Sequence, residues 1–173
     1  MATPQETSAA WRRSKTSSPS SPVHHRPRAA SVSLVRWSVA LGLAGLCISA
    51  YLTLAHFAQG EVPLACIAAG PINCEQVTTS AESMVGPLPV AFLGVVWFAV
   101  LLGLIGPPRA WLPSPVLLRL AWTAVGVAVV FYLIYAELFL IGAVCLWCTA
   151  VHGLVLGLFL LALGETTAVV EPA

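Results

Sequence analysis

Charge is what this sequence has least of. Only 9% of its 173 residues are Asp, Glu, Lys or Arg, and 58% are hydrophobic, whereas an ordinary soluble domain is about 25% charged. That balance excludes a soluble globular domain and points to an integral membrane protein. The scarce positive charge is also confined. All eight Lys and Arg residues fall in two places: Arg12, Arg13, Lys15, Arg26, Arg28 and Arg36 at or before the first apolar run, then Arg109 and Arg119 between two later runs. Positive residues are retained on the cytoplasmic side of a membrane, so both segments are expected there. The same placement explains the basic residues without nucleic acid. Residues 59–87 have no Lys or Arg at all but carry Glu61, Glu75 and Glu82, the composition expected of an external loop.

Residues 1–31 lack hydrophobic periodicity and are rich in Ser, Pro, Thr and Ala. Such a stretch cannot bury enough surface to offset chain entropy, so a disordered cytoplasmic tail is expected. A signal peptide is the competing reading, but the polar region and the apolar stretch after it are both too long. The chain beyond divides into apolar runs, each about the length that crosses a hydrocarbon core of roughly 30 Å as a helix. The expected spans are 34–57, 88–105, 116–139 and 143–163. Pro89 is tolerated in the first turn of the second, Gly106-Pro107-Pro108 ends it, and Gly142 offers a tight turn before the fourth. The expected fold is all-α: a four-helix transmembrane bundle over 32–164, with an external cysteine-bearing loop, a short surface helix over 76–84, and a cytoplasmic C-terminal tail over 165–173. With both termini inside, Cys145 and Cys148 lie at the outer end of the fourth span, on the same side as Cys66 and Cys74.

Two cysteine pairs therefore reach one surface from distant parts of the sequence. Cys145-Leu146-Trp147-Cys148 is a Cys-x-x-Cys whose sulfurs share a face if a helix begins near Cys145. A thiolate at a helix N-terminus is stabilised by the positive end of the helix dipole and is reactive. Two neighbouring dithiols can exchange a disulfide, moving electrons two at a time. A loop pair can meet a soluble protein, whereas a pair on a helix in the bilayer meets what dissolves in lipid. No heme attachment site, Rossmann glycine pattern or flavin motif is present, which leaves a diffusible quinone as the acceptor.

The sequence resembles the vitamin K epoxide reductase family over most of residues 40–160. The likeness rests on Ser49-x-Tyr51-Leu52-Thr53, on Cys66-x7-Cys74 followed by Val77 and Ser80, on Pro89-Val90-Ala91-Phe92-Leu93-Gly94, and on Cys145-x-x-Cys148. It implies a four-helix bundle around a quinone of menaquinone or ubiquinone type, in the cytoplasmic membrane of a bacterium. Bacterial members look like oxidants that regenerate a secreted thiol oxidase of thioredoxin-like fold. Many carry that domain fused; none is present here, so a separate thioredoxin-like partner is expected. By resemblance Cys66 exchanges with the partner, Cys74 attacks Cys145, and Cys148 adjoins the quinone. Ser80, His152 and Trp147 are the expected quinone contacts, Ser80 through its match to a loop-helix hydroxyl of the family. His152 stands where animal members have Tyr, and Leu88-Pro89-Val90 where they place an Asn near the quinone carbonyl. Vitamin K epoxide itself is accordingly a poor fit as substrate.

Other readings compete. Four cysteines also suit tetrahedral zinc, although the x7 spacing is unusual for it and an oxidising exterior disfavours free thiolates. The cysteines of a non-enzymatic subunit would only staple the loop to the last span. Cys47 reads as packing within the first span. His152 lies on the Cys148 face one turn on, suited either to a quinone oxygen or to a helix carbonyl. Glu137 is costly in a bilayer and so is a candidate for proton handling, unless the interface solvates it. His56, Trp97, Trp111 and Trp122 read as interfacial or packing residues.

Overall fold

The computed structural model describes residues 27–58, 62, 64–66, 69–106 and 115–170. The expected tail up to residue 26, and the 107–114 connection with Arg109 and Trp111, lie outside the described residues. Helix α1 covers Pro27–Phe57, the short α2 Cys74–Thr78, α3 Val90–Ile105, α4 Pro115–Tyr135 and α5 Leu146–Val170. Between α2 and α3 come a 3-10 turn, Ala81–Ser83, and a small antiparallel hairpin of β1 (Met84–Val85) and β2 (Leu88–Pro89), with Met84 opposite Pro89 and Val85 opposite Leu88. Among the described residues three helices are long and apolar enough to cross a membrane: Ser33–Phe57, Pro115–Ile141 and Leu146–Thr167. Val90–Ile105 is a shorter apolar helix, which at about 1.5 Å per residue extends roughly 24 Å.

The helix ends differ from expectation in instructive ways. Residues 27–31, read as tail, begin α1. The surface helix expected over 76–84 is instead α2 and the 3-10 turn, and Met84 already pairs in the hairpin. Leu88 and Pro89 do not open α3, because Pro89 is extended (φ −68°, ψ 141°) and is held in the hairpin. Helix α4 does not stop near residue 139 but widens into a π-helical turn, Ala136–Ile141. Residues 143–145 stay outside α5 because an isolated parallel bridge joins Val144 to Ile72. At its other end α5 continues past residue 163 to Val170.

In lipid there is little hydrophobic drive between helices, so association depends on close packing of small residues against large ones. Gly45 of α1 lies directly under the Phe98 ring of α3, and Gly126 of α4 under the Trp97 indole; a methyl group at either site would strike the ring. Phe98, Leu101, Ile105, Val130, Val155 and Leu158 form the core that these approaches create. The Trp122 indole N–H donates to the Trp97 carbonyl at 3.2 Å and the two rings stack, tying α4 to α3. At the end of the bundle away from the cysteines, Arg119 of α4 pairs with Glu165 of α5 at 3.0 Å, and its Nε donates to the Pro115 carbonyl at 3.2 Å. Both side chains are largely enclosed, and removing one partner of such a pair costs about 3–5 kcal/mol by stranding the other charge. Extension of α5 as far as Glu165 therefore has an electrostatic reason.

Candidate functional site

The site is assembled where the 64–85 segment folds down onto the turn between α4 and α5. Asn73 caps α2: its Oδ1 accepts the Gln76 backbone N–H at 3.0 Å and its Nδ2 donates to Gln76 Oε1 at 3.3 Å. This reciprocal bonding fixes the first turn of α2, which carries Cys74 at its first position. The same short stretch is sewn to the chain before α5. Asn73 N donates to the Val144 carbonyl at 3.1 Å, Val144 N to the Pro71 carbonyl at 2.9 Å, and Gln76 Nε2 to the Ile141 carbonyl at 3.2 Å.

These bonds bring the cysteines together. Cys66 and Cys74 are joined in a disulfide with Cα atoms 6.1 Å apart, and Cys145 and Cys148 are free thiols. Cys74, Val77, Ala143 and Cys145 form one buried cluster, against which Cys66, Ile141, Trp147 and Cys148 pack. Cys145 is 0% exposed and Cys74 1%, whereas Cys66 and Cys148 are half-buried. The Cys145 sulfur accepts the Cys148 backbone N–H at 3.3 Å. It thereby occupies the capping position of α5, where an otherwise unpaired N–H needs an acceptor. A four-thiolate metal site would require the Cys66–Cys74 bond to be reduced first. Cys47 lies apart from this cluster, exposed on α1.

On its outer side the site is latched. The Trp147 indole N–H donates to the Ala65 carbonyl at 3.0 Å, the Ala65 N–H donates to the Tyr51 hydroxyl at 3.0 Å, and the two rings meet edge to face at 5.6 Å. Residues adjoining both cysteine pairs are thus held to each other and to α1.

On its inner side a cavity of about 710 Å³ opens among α1, α3, α4 and α5, with mostly aliphatic walls. Ser80, Glu137, Cys148 and His152 all line it. Ser80 Oγ donates to the Val77 carbonyl at 2.8 Å. His152 is 6% exposed, and among the described residues its ring takes no protein hydrogen bond, so the helix-carbonyl reading of this side chain is not what the structure contains. Trp147, expected beside Ser80 and His152, is not part of the lining; its indole is turned outward to Ala65. Sequence reasoning missed Tyr51, Asn73 and Gln76 as organisers of the site and set His56 aside. The His56 ring meets the Thr78 carbonyl at 3.1 Å and also lines the cavity. An Asn followed three residues later by Gln is a legible cap signal; nothing local marks Tyr51 as a partner of residue 65.

The sequence model of the vitamin K epoxide reductase family matches residues 36–163. The chain belongs to that family. The match takes in both cysteine pairs, Ser80, Glu137 and His152. Vitamin K epoxide reductase family members are oxidoreductases, which makes this chain a membrane oxidoreductase bearing a disulfide. Quinone use and redox partners are associated with the vitamin K epoxide reductase family as a whole. Among curated proteins, none matches this one.

Proposed function

We propose that this protein is a quinone-dependent thiol–disulfide oxidoreductase supporting disulfide formation outside the cell. Electrons pass from a separate, secreted thioredoxin-like protein through Cys66 and Cys74 to Cys145 and Cys148, and on to a membrane quinone of menaquinone or ubiquinone type. The membrane domain over 32–164 crosses the bacterial cytoplasmic membrane four times, the shorter α3 included. The start of α1 and the end of α5 face the cytoplasm, and all four cysteines lie at the outer surface.

The observation that carries this reading is the gathering of both pairs in one buried cluster with a large cavity directly beyond Cys148. The different exposures of the two loop cysteines support their roles: half-buried Cys66 is reachable by a partner, and enclosed Cys74 faces inward. In the transfer step Cys74 attacks Cys145, breaking the Cys145–Cys148 bond and forming a Cys74–Cys145 disulfide. Cys66 then attacks Cys74 and releases the Cys145/Cys148 dithiol. The thiol state of the structure, with the loop pair joined and the bundle pair free, corresponds to the product of that exchange.

The cavity fits a quinone by size and wall chemistry, since small-molecule sites typically occupy about 300–1,000 Å³ with apolar linings and a few polar groups. A bound quinone supplies a two-electron, two-proton acceptor. His152, without a hydrogen-bond partner among the described residues, and Ser80 are the groups suited to orient its oxygens beside Cys148. Reconstituted in lipid with a reduced thioredoxin-like protein, the enzyme should turn over only when quinone is supplied. Partner oxidation that ignores quinone, or no turnover at all, would favour a static staple between loop and bundle.

A further inference from the structure

Oxidising a dithiol releases two protons as well as two electrons, and the two sulfurs of the bundle pair are differently placed to lose them. Cys148 lines the cavity. Cys145 does not, and at 0% exposure it has no path of its own to water or to a cavity ligand. A proton on that sulfur needs an ionisable neighbour that reaches both places.

Glu137 is that neighbour. Its carboxyl faces the Cys145 backbone N–H, yet the same side chain is part of the cavity wall beside Cys148. It is 5% exposed and makes no ion pair among the described residues. A carboxyl group buried at membrane depth is costly unless it has work to do. The backbone holds it in place. Glu137 lies in the π-helical turn, a feature frequent at functional sites. Its carbonyl accepts the N–H of Gly142, which has a left-handed φ of +70°, and that of Ala143 at 3.2 Å. Other ionisable side chains on the cavity wall are His56, Glu82, Tyr132 and His152; among the described residues none of them hydrogen-bonds to Cys145.

We propose that Glu137 is the proton-transfer residue of the bundle pair, taking the Cys145 thiol proton and releasing it into the cavity. The inference rests on the quinone-reducing reading above. The balance is complete. Two S–H bonds break, one S–S bond forms between Cys145 and Cys148, and two electrons leave for the quinone. The proton from Cys145 reaches one quinone oxygen by way of the Glu137 carboxyl, and the proton from Cys148 reaches the other across the cavity wall. A second consequence needs no quinone. In the reduced protein Glu137 shares the Cys145 proton, so its carboxyl is protonated more in the dithiol than in the disulfide state.

Both consequences are measurable on the full chain in lipid nanodiscs. A reduced-minus-oxidised infrared spectrum, taken without quinone, should contain a gained carboxylic-acid C=O band that shifts in D₂O and is lost in Glu137→Gln. Menadione should oxidise the Cys145/Cys148 dithiol about 100-fold more slowly in Glu137→Gln, the lower range for loss of a general acid–base group, with Glu137→Asp recovering part of the rate. Gln preserves shape and can still accept the Cys145 N–H, and re-formation of the Cys145–Cys148 disulfide with diamide establishes that the variant is folded. A Glu137→Gln rate within threefold of the parent, or a C=O band indifferent to Glu137, would overturn the assignment. A parent protein that ignores menadione would instead remove the quinone reading, while the infrared band still decides for or against Glu137 as proton acceptor.

Discussion

The latch between Trp147 and the loop offers a direct test of how the Cys66 end of the site is held. Trp147→Phe keeps a ring at the first turn of α5 but deletes the indole N–H that donates to Ala65 at 3.0 Å. One net hydrogen bond contributes about 0.5–1.5 kcal/mol. The edge-to-face contact with Tyr51, 5.6 Å between ring centroids, belongs to a class of pairs contributing about 0.5–1.5 kcal/mol, of which a smaller Phe retains part. Together the loss is roughly 1–2 kcal/mol, a factor of about 5–30 in the population of loop conformations with residues 64–66 released. Hydrogen–deuterium exchange of a peptide spanning 64–66, in nanodiscs, should accelerate by that factor. Reduction of the Cys66–Cys74 bond by a soluble dithiol should accelerate in parallel. Exchange near Val144 should change little, because the Ile72–Val144 bridge and the Asn73 and Gln76 bonds are independent of the indole. Unaltered exchange at 64–66 would refute the latch, and equal acceleration at both places would mean that the loop opens as one unit.

Two other outcomes bear on the relay. Under oxidising conditions Cys148→Ser, which cannot re-form the bundle disulfide, should accumulate a Cys74–Cys145 cross-link; mass spectrometry of non-reduced peptides should find that it survives Cys66→Ala and vanishes with Cys74→Ala, whereas a Cys66–Cys145 link would reverse the loop roles. His152→Ala should weaken quinone-dependent turnover about 5- to 10-fold, the loss of about one hydrogen bond, while dithiol exchange with the partner protein stays near the parent rate; unchanged quinone kinetics would make His152 a packing residue.

Much of this molecule was legible in one dimension. Scarce charge and long apolar runs follow from the cost of placing polar groups in hydrocarbon, a property of each residue by itself, and they gave a helical membrane protein and the approximate position of each long helix. The Cys-x-x-Cys and Cys-x7-Cys spacings marked the chemistry for the same reason, since sulfur reactivity belongs to the residue. Helix ends were less legible, because partners far away in sequence set them. Residues 143–145 stay extended to pair with Ile72, and α5 runs on to Glu165 to meet Arg119.

The site itself was decided only in three dimensions. Backbone bonds from Pro71 and Asn73 to Val144 bring the loop pair against the bundle pair, and backbone N–H and C=O groups are common to nearly every residue, so their pairing leaves no side-chain signature. The cavity is a space between helices and has no sequence of its own, which is why Trp147, between the two cysteines of the motif, was expected inside it and instead turns its indole to Ala65. Glu137 was visible as an expensive carboxyl. Only the tertiary structure, with Glu137 in the π-helical turn, decided that this carboxyl faces the Cys145 backbone N–H and lines the cavity as well.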